Sequence, residues 1–201
     1  METIVKEFEH FRLHLLKNDK FKRCSIEIHF RRKLTQDYFS KLSFLVPLIF
    51  RGTKSYPSLK ELNRQKEYLY GIKTGGGSSR IGKMIDTNIN LDFLNPKYID
   101  EPNYLEDIIK FLFDYLKEPL LLQKDFDQIA DELKLSIKKR EENLGSCAGH
   151  KAKKFIDNNM SLDAFDTVED VDKIKLEDMK TFLKDFIDNN TIDIYVFGNL
   201  D

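Results

Sequence analysis

Among 201 residues there are two cysteines and no tryptophan, and net charge is nearly absent, with 33 Lys and Arg against 34 Asp and Glu for a formal −1. Cys24 and Cys147 are too few and too far apart for a disulfide framework or a Cys-based metal knuckle, so both are expected to be reduced thiols. A near-neutral chain has no net field to hold a polyanion, which argues against nucleic acid as a partner. No apolar run approaches the about 18 residues that span a bilayer. The opening METIVKEFEHFRLHLL is charged throughout, unlike a leader. Composition therefore predicts a cytoplasmic protein that engages no membrane.

What is present is enough for a real core. Hydrophobic residues make up 41% and charged residues 33%, and 16 Phe with 8 Tyr supply the bulk that tryptophan does not. That is the composition of a globular chain, and the length predicts a single domain over residues 1–201.

Two hydrophobic periods divide the chain. Phe11, Leu13 and Leu15 alternate with His10, Arg12 and His14, and Ile26, Ile28 and Phe30 alternate with Ser25, Glu27 and His29. These read as two strands, over Phe8 to Leu15 and Cys24 to Phe30, pairing antiparallel. Helical spacing follows at Tyr38, Leu42, Leu45, Val46 and Ile49 behind an N-cap Thr35. A capping box at Ser58 and Glu61 starts a second helix, which Gly71 should stop. Two strands come next, the first rich in glycine, the second carrying Ile85, Thr87, Ile89 and Leu91. Leu105, Ile108, Ile109, Leu112, Tyr115 and Leu116 mark a helix ended by Pro119. Phe126, Ile129, Ala130, Leu133 and Ile137 mark another, starting near Asp125 and stopping at Gly145. A short helix is expected from Lys151 to Phe155, then one through Leu176, Met179, Phe182, Leu183 and Phe186. A last strand alternates Ile192, Ile194 and Val196 with Asp193, Tyr195 and Phe197. The order predicts an α+β fold, a mostly antiparallel sheet with helices packed on one face. Ile26, Ile28, Leu45, Ile108, Leu112, Leu133, Phe182 and Ile194 should be buried together.

This order, with FRGTKSYPSLKELNRQKEYLYG after the first helix and IDIYVFGNLD at the end, resembles the N-terminal domain of the pitrilysin and insulinase zinc peptidases, which include the mitochondrial processing peptidases. The likeness covers nearly the whole chain. In active members the turn matching Phe50, Gly52 and Thr53 directly follows a helix bearing HxxEH, often seen as HFLEHMLFKGT, and the closing strand commonly ends in Gly-Asp-X-Asp. Laying the turn on that pattern puts Ser43 at the first histidine, Val46 at the glutamate and Pro47 at the second histidine. Two imidazoles one helical turn apart hold zinc there, and the glutamate takes a proton from metal-bound water. Ser, Val and Pro supply neither ligands nor base. A proline inside the helix also removes a hydrogen bond to Ser43 and costs about 3 kcal/mol, so the helix is expected to kink or end at Pro47. The resemblance therefore implies a pseudopeptidase with no catalytic residue, no metal and no cofactor.

The same resemblance implies a substrate position. The family's edge strand beside the zinc, often GGXXNAXT, pairs with the peptide backbone. Here Gly71 takes the place of its first glycine, Gly75 the asparagine, Gly76 the alanine and Ser78 the threonine. Thr74, Gly75, Gly76, Gly77 and Ser78 are accordingly the candidate peptide-binding residues, through main-chain bonds with little side-chain selectivity. A bulged surface strand without a ligand is the alternative. A phosphate cradle is excluded, because no P-loop pattern or helix start follows. The run Lys134 to Asn143, with Asp131 and Glu132 nearby, covers the family's third zinc ligand, and without histidines it reads as a solvated helix face. The functional expectation is a noncatalytic subunit that forms a heterodimer with an active zinc peptidase of the family and helps bind peptide substrate. Alternatives are a hydrolase with a metal displaced to His10, His14 and His29 on the sheet, and a pure interaction domain. Cys147 and His150 form only a lone C-x-x-H, too little for a ligand set.

Overall fold

The computed structural model describes residues 2–156 and 164–199. In chain order the elements are β1 (Glu2–Glu7), β2 (Phe11–Lys17), β3 (Arg23–Lys33), α1 (Gln36–Ile49), α2 (Leu59–Tyr68), β4 (Lys73–Ile81), β5 (Met84–Leu94), a 3-10 turn at Pro96–Tyr98, α3 (Tyr104–Lys117), α4 (Gln123–Glu142), α5 (Leu144–Ile156), α6 (Val168–Asp172), α7 (Leu176–Asp188) and β6 (Thr191–Gly198). Six strands form one sheet in the order β1-β2-β6-β3-β5-β4. Every neighbouring pair is antiparallel except β2 with β6, which run parallel. This is the expected α+β fold.

Alternation sets the layers. Cys24, Ile26, Ile28 and Phe30 on β3 and Ile85, Ile89, Leu91 and Phe93 on β5 are buried in one core with Leu45, Leu48, Ile108, Leu112, Met179 and Phe186 of the helices. The opposite face carries Glu27, His29, Asp86 and Asn88 and stays half-exposed. Thr35 caps α1 through the Tyr38 N–H, and Ser58 caps α2 through the Glu61 N–H, as their sequences foretell. Gly198 closes the sheet at φ +140°, where a Cβ would lie 2.3 Å from the Cys24 sulfur, so no larger residue fits.

Several expectations need correction. β2 and β3 do not pair; β6 lies between them, and β2 pairs with β1 instead. β1 gives no readable alternation because both its faces are exposed. The strand expected from Phe8 starts at Phe11, after the turn. α1 runs past Pro47 to Ile49, since the hydrogen bond lost at Ser43 falls in the last turn, where little helix remains to be disrupted. On α3 the buried face takes Tyr104 and Phe111, leaving Leu105 and Ile109 36% and 40% exposed. α4 ends before Gly145: the Asn143 side chain accepts from the Ser146 N–H (2.9 Å) and caps α5, which begins at Leu144 rather than Lys151. Leu133 and Ile194 pack on the core only partly buried.

Candidate site at the end of helix α1 and the edge strand

The end of α1 meets the sheet at β4. Ser43 is half-buried and its hydroxyl donates to the Phe39 carbonyl one turn back (3.2 Å). Val46 is buried and Pro47 half-buried. These side chains offer no imidazole, carboxylate or activated water, so the helix has a structural role here. Glu132 on α4 faces Arg51 at 3.4 Å and accepts from Gln128 at 2.8 Å. A carboxylate engaged by a guanidinium and an amide is satisfied without a metal.

The Phe50–Thr53 turn is a clasp. Thr53 is buried and bridges to Pro119, the Leu120 N–H donates to the Gly52 carbonyl (2.9 Å), and the Lys54 N–H donates to Glu118 (3.0 Å). A Cβ at Gly52 would sit 3.1 Å from the Pro57 carbonyl oxygen. The motif thus joins the α1–α2 link to the α3–α4 link, and the close approach of the Pro57 carbonyl gives its glycine a packing reason.

β4 is a terminal strand of the sheet and among the described residues pairs only with β5. It leaves α2 through Tyr70 and Gly71, both left-handed at φ 62° and 66°. A two-residue loop, Gly82-Lys83, joins it to β5 with Ile81 opposite Met84. The pair flanking such a loop is hydrogen-bonded, so alternation turns the main-chain groups of Thr74, Gly76 and Ser78 outward, away from β5. On the helix side, a Cβ at Gly76 would come within 2.9 Å of the Phe50 ring and of the Asn88 carbonyl oxygen. Gly76 is therefore required by packing. Gly75 and Gly77 face the polar side, beside Asn90 and Asn88. Phe50 packs on Tyr115 with ring centroids 4.9 Å apart, and the Thr74 hydroxyl lies 3.5 Å from the Tyr115 hydroxyl. Burial pushes the Tyr115 phenol up to about 12. Sequence reasoning missed the Phe50–Tyr115 and Arg51–Glu132 contacts, which join positions far apart in the chain.

The histidines do not converge. His10 lies in the β1–β2 turn 4.0 Å from Glu9, His14 pairs with Asp193 at 2.8 Å, and His29 pairs with Asp86 at 2.9 Å. Strand β6 separates the last two, and Tyr195 stacks on His14. Among the described residues no three of His, Cys, Asp and Glu are grouped to hold a metal ion. His150 meets Asp166 at 3.4 Å. The Lys134–Asn143 run is the mostly exposed helix face expected, with Ile137 buried beneath it, Lys134 paired with Asp172 (2.5 Å) and Arg140 donating to the carbonyls of Phe165 (3.1 Å) and Asp166 (2.6 Å).

No protein-family profile matches the chain. It is 26% identical over 196 residues to the probable inactive metalloprotease YmfF of Bacillus subtilis (strain 168), covering 94% of this chain and 46% of that protein. The solved structure of a conserved protein from Enterococcus faecalis V583 superposes with a TM-score of 0.91 at 19% identity, covering 99% of this chain and 49% of the other. A peptidase M16 inactive domain from Pseudomonas fluorescens gives 0.76 at 13% identity, covering 100% and 47%. Pitrilysin itself gives 0.67 at 15%, covering 100% and 21%. The chain is thus similar in sequence to a probable inactive metalloprotease and shares the fold of pitrilysin. It spans about half the length of the curated relative that it matches. Laid on the pattern of the active peptidases it resembles, Ser43, Val46 and Pro47 stand where they carry HxxEH. No helix among the described residues is long and apolar enough to cross a membrane.

Proposed function

We propose that this chain is one domain of a noncatalytic subunit that pairs with an active zinc peptidase of the same family in the cytoplasm and helps hold an extended peptide along β4. The observation that carries this reading is the position of β4: an unpaired edge lying against the end of the helix that bears Ser43, Val46 and Pro47, with the main chain of Thr74, Gly76 and Ser78 turned outward. An edge of this kind binds peptide by adding a strand, and bare glycines on its polar side leave room for any side chain.

The test is co-expression with an HxxEH peptidase encoded in the same genome, followed by co-purification and peptide cleavage. A stable complex is expected, with turnover dependent on the partner's motif alone. Ser78→Pro removes an outward N–H from β4 and should raise the KM of the complex while leaving its assembly intact, provided the variant retains the parent's circular dichroism. Unchanged KM in a folded variant would remove the peptide role and leave a docking scaffold, and failure to pair would remove the subunit role.

A further inference from the structure

The room beside the bare glycines of β4 is lined by two amides. Gly75 stands opposite Asn90 and Gly77 opposite Asn88, all four on the polar face of the sheet. A Cβ on Gly75 would lie 3.2 Å from the Asn90 Oδ1, and one on Gly77 3.8 Å from the Asn88 Oδ1. Each amide therefore reaches from β5 over β4 toward the open edge. Both asparagines are half-buried, and neither side chain has a hydrogen-bond partner among the described residues. A half-buried amide carries donors and an acceptor together, and a ligand group of the same kind satisfies both. The acidic neighbour of the pair, Asp86, is already matched by His29 (2.9 Å) and Arg31 (3.4 Å), so what Asn88 and Asn90 present is neutral.

A strand added to β4 alternates its side chains in phase with it. Two of them, two residues apart, stand on the polar face beside Gly75 and Gly77, each with its Cβ about 4.5–5.5 Å from the place where β4 would carry its own. A polar group two or three bonds beyond such a Cβ can turn back to the amides. The residue between the two is in phase with Gly76 and points to the helix side. There the Phe50 ring lies beneath Gly76, and Phe39, Ser43 and Pro47 continue the same half-buried face of α1 at helical spacing.

We propose that Asn88 and Asn90 determine the specificity of this edge, selecting an extended peptide with amide side chains, glutamine or asparagine, on either side of one apolar residue. The proposal rests on the peptide-binding reading of β4 and adds a preference that main-chain hydrogen bonds do not supply. Gly75 and Gly77 serve the same end, because any side chain on them would fill the space between the amides and the peptide.

Fluorescence anisotropy of the full chain with the labelled peptides Thr-Gln-Leu-Gln-Thr and Thr-Met-Leu-Met-Thr is the test, with circular dichroism to verify that each variant is folded. Methionine keeps the length of glutamine and removes its hydrogen bonds. The glutamine peptide is expected to bind about tenfold more tightly. Asn88→Leu combined with Asn90→Leu keeps side-chain size and should bring the two peptides within about twofold of each other, while Ser78→Pro should weaken both. Asn90→Asp should turn the preference toward a third peptide, Thr-Lys-Leu-Gln-Thr or its reverse, in which lysine meets the new charge. Equal affinity of the parent chain for the first two peptides, with Ser78→Pro weakening both, overturns this inference and leaves the edge reading standing. A glutamine preference that survives the paired leucine substitutions in a folded chain overturns it as well. Absence of binding by either peptide, or binding that Ser78→Pro leaves untouched in a folded chain, overturns the edge reading and this inference together. Should the leucine pair fail to fold, Asn90→Asp decides the matter, and a preference it does not move overturns the assignment.

Discussion

The two ends of the sheet carry open strands of opposite character. At β4 the edge is buttressed: the Phe50 ring lies beneath Gly76, Tyr115 lies beside Thr74, and α1 packs along the strand. At β1 the edge overhangs the core and is attached through β2, whose own link to the body is its parallel ladder with β6. On the polar face an ion cluster around a buried carboxylate reinforces that link. Asp193 on β6 is wholly buried and accepts from Arg12 (2.8 Å) and His14 (2.8 Å) on β2 and from Arg31 (2.6 Å) on β3. One edge is thus held in place by apolar packing and the other by a charge cluster. A preorganised edge suits a ligand that must be bound in one register, while an overhanging one can be approached by a bulky partner.

The largest effect is expected where the charge cluster is broken. Asp193→Ala leaves two guanidiniums and an imidazole without their anion and should cost about 3–5 kcal/mol in urea denaturation. Burial pushes the Asp193 carboxyl up, but the His14 and Arg12 hydrogen bonds and the Arg31 charge outweigh it and hold the group below the usual carboxylate range. A carboxyl depressed in the folded state stabilises above its unfolded pKa of about 3.9. That contribution is lost as pH falls through the lower folded value. Asp193→Asn should therefore flatten the acid limb of the stability curve. If hydrogen exchange in β1 and β2 were unaffected by either change, the cluster would not be what secures this edge.

Next comes the covered part of the molecule. Leu112, buried on α3, should cost about 2–5 kcal/mol on truncation to Ala, measured by thermal or urea unfolding. At the buttressed edge, Gly76→Ala forces a methyl against the Phe50 ring and the Asn88 carbonyl and should cost about 1–3 kcal/mol. A neutral Gly76→Ala would mean that Phe50 yields readily and that β4 is not preorganised. The smallest effect is expected at the overhang: Leu13→Ala on β2, outside the core, should cost less than about 1 kcal/mol in the monomer. A Leu13 loss as large as that of Leu112 would show that the hairpin belongs to the same cooperative core and would erase the contrast between the edges.

Legibility in the sequence followed burial. β3 and β5 read cleanly because one face is dry and the other wet, so alternation reports the layer directly. Thr35, Ser58 and Gly71 could be read because capping and left-handed turns are short-range chemistry. β1 could not, since both its faces are exposed and the pattern that would announce it is absent. On α3 the spacing pointed to Leu105 with Ile109 where the fold buries Tyr104 with Phe111, because a helix that is apolar over a wide arc fits several rotations. The loss of HxxEH was legible in Ser43, Val46 and Pro47, where residue type alone decides.

By itself, then, the sequence determined the α+β class, the covered strands, the caps and the absence of HxxEH, all of which depend on residue type and local spacing. The tertiary structure alone decided that β6 enters between β2 and β3, that Gly76 is dictated by Phe50, that Arg51 reaches Glu132, and that Asp193 gathers two arginines and a histidine from two strands. Each of these joins residues far apart in the chain. No local period encodes such a meeting, because it is settled by which buried faces and charges satisfy one another once the layers are packed.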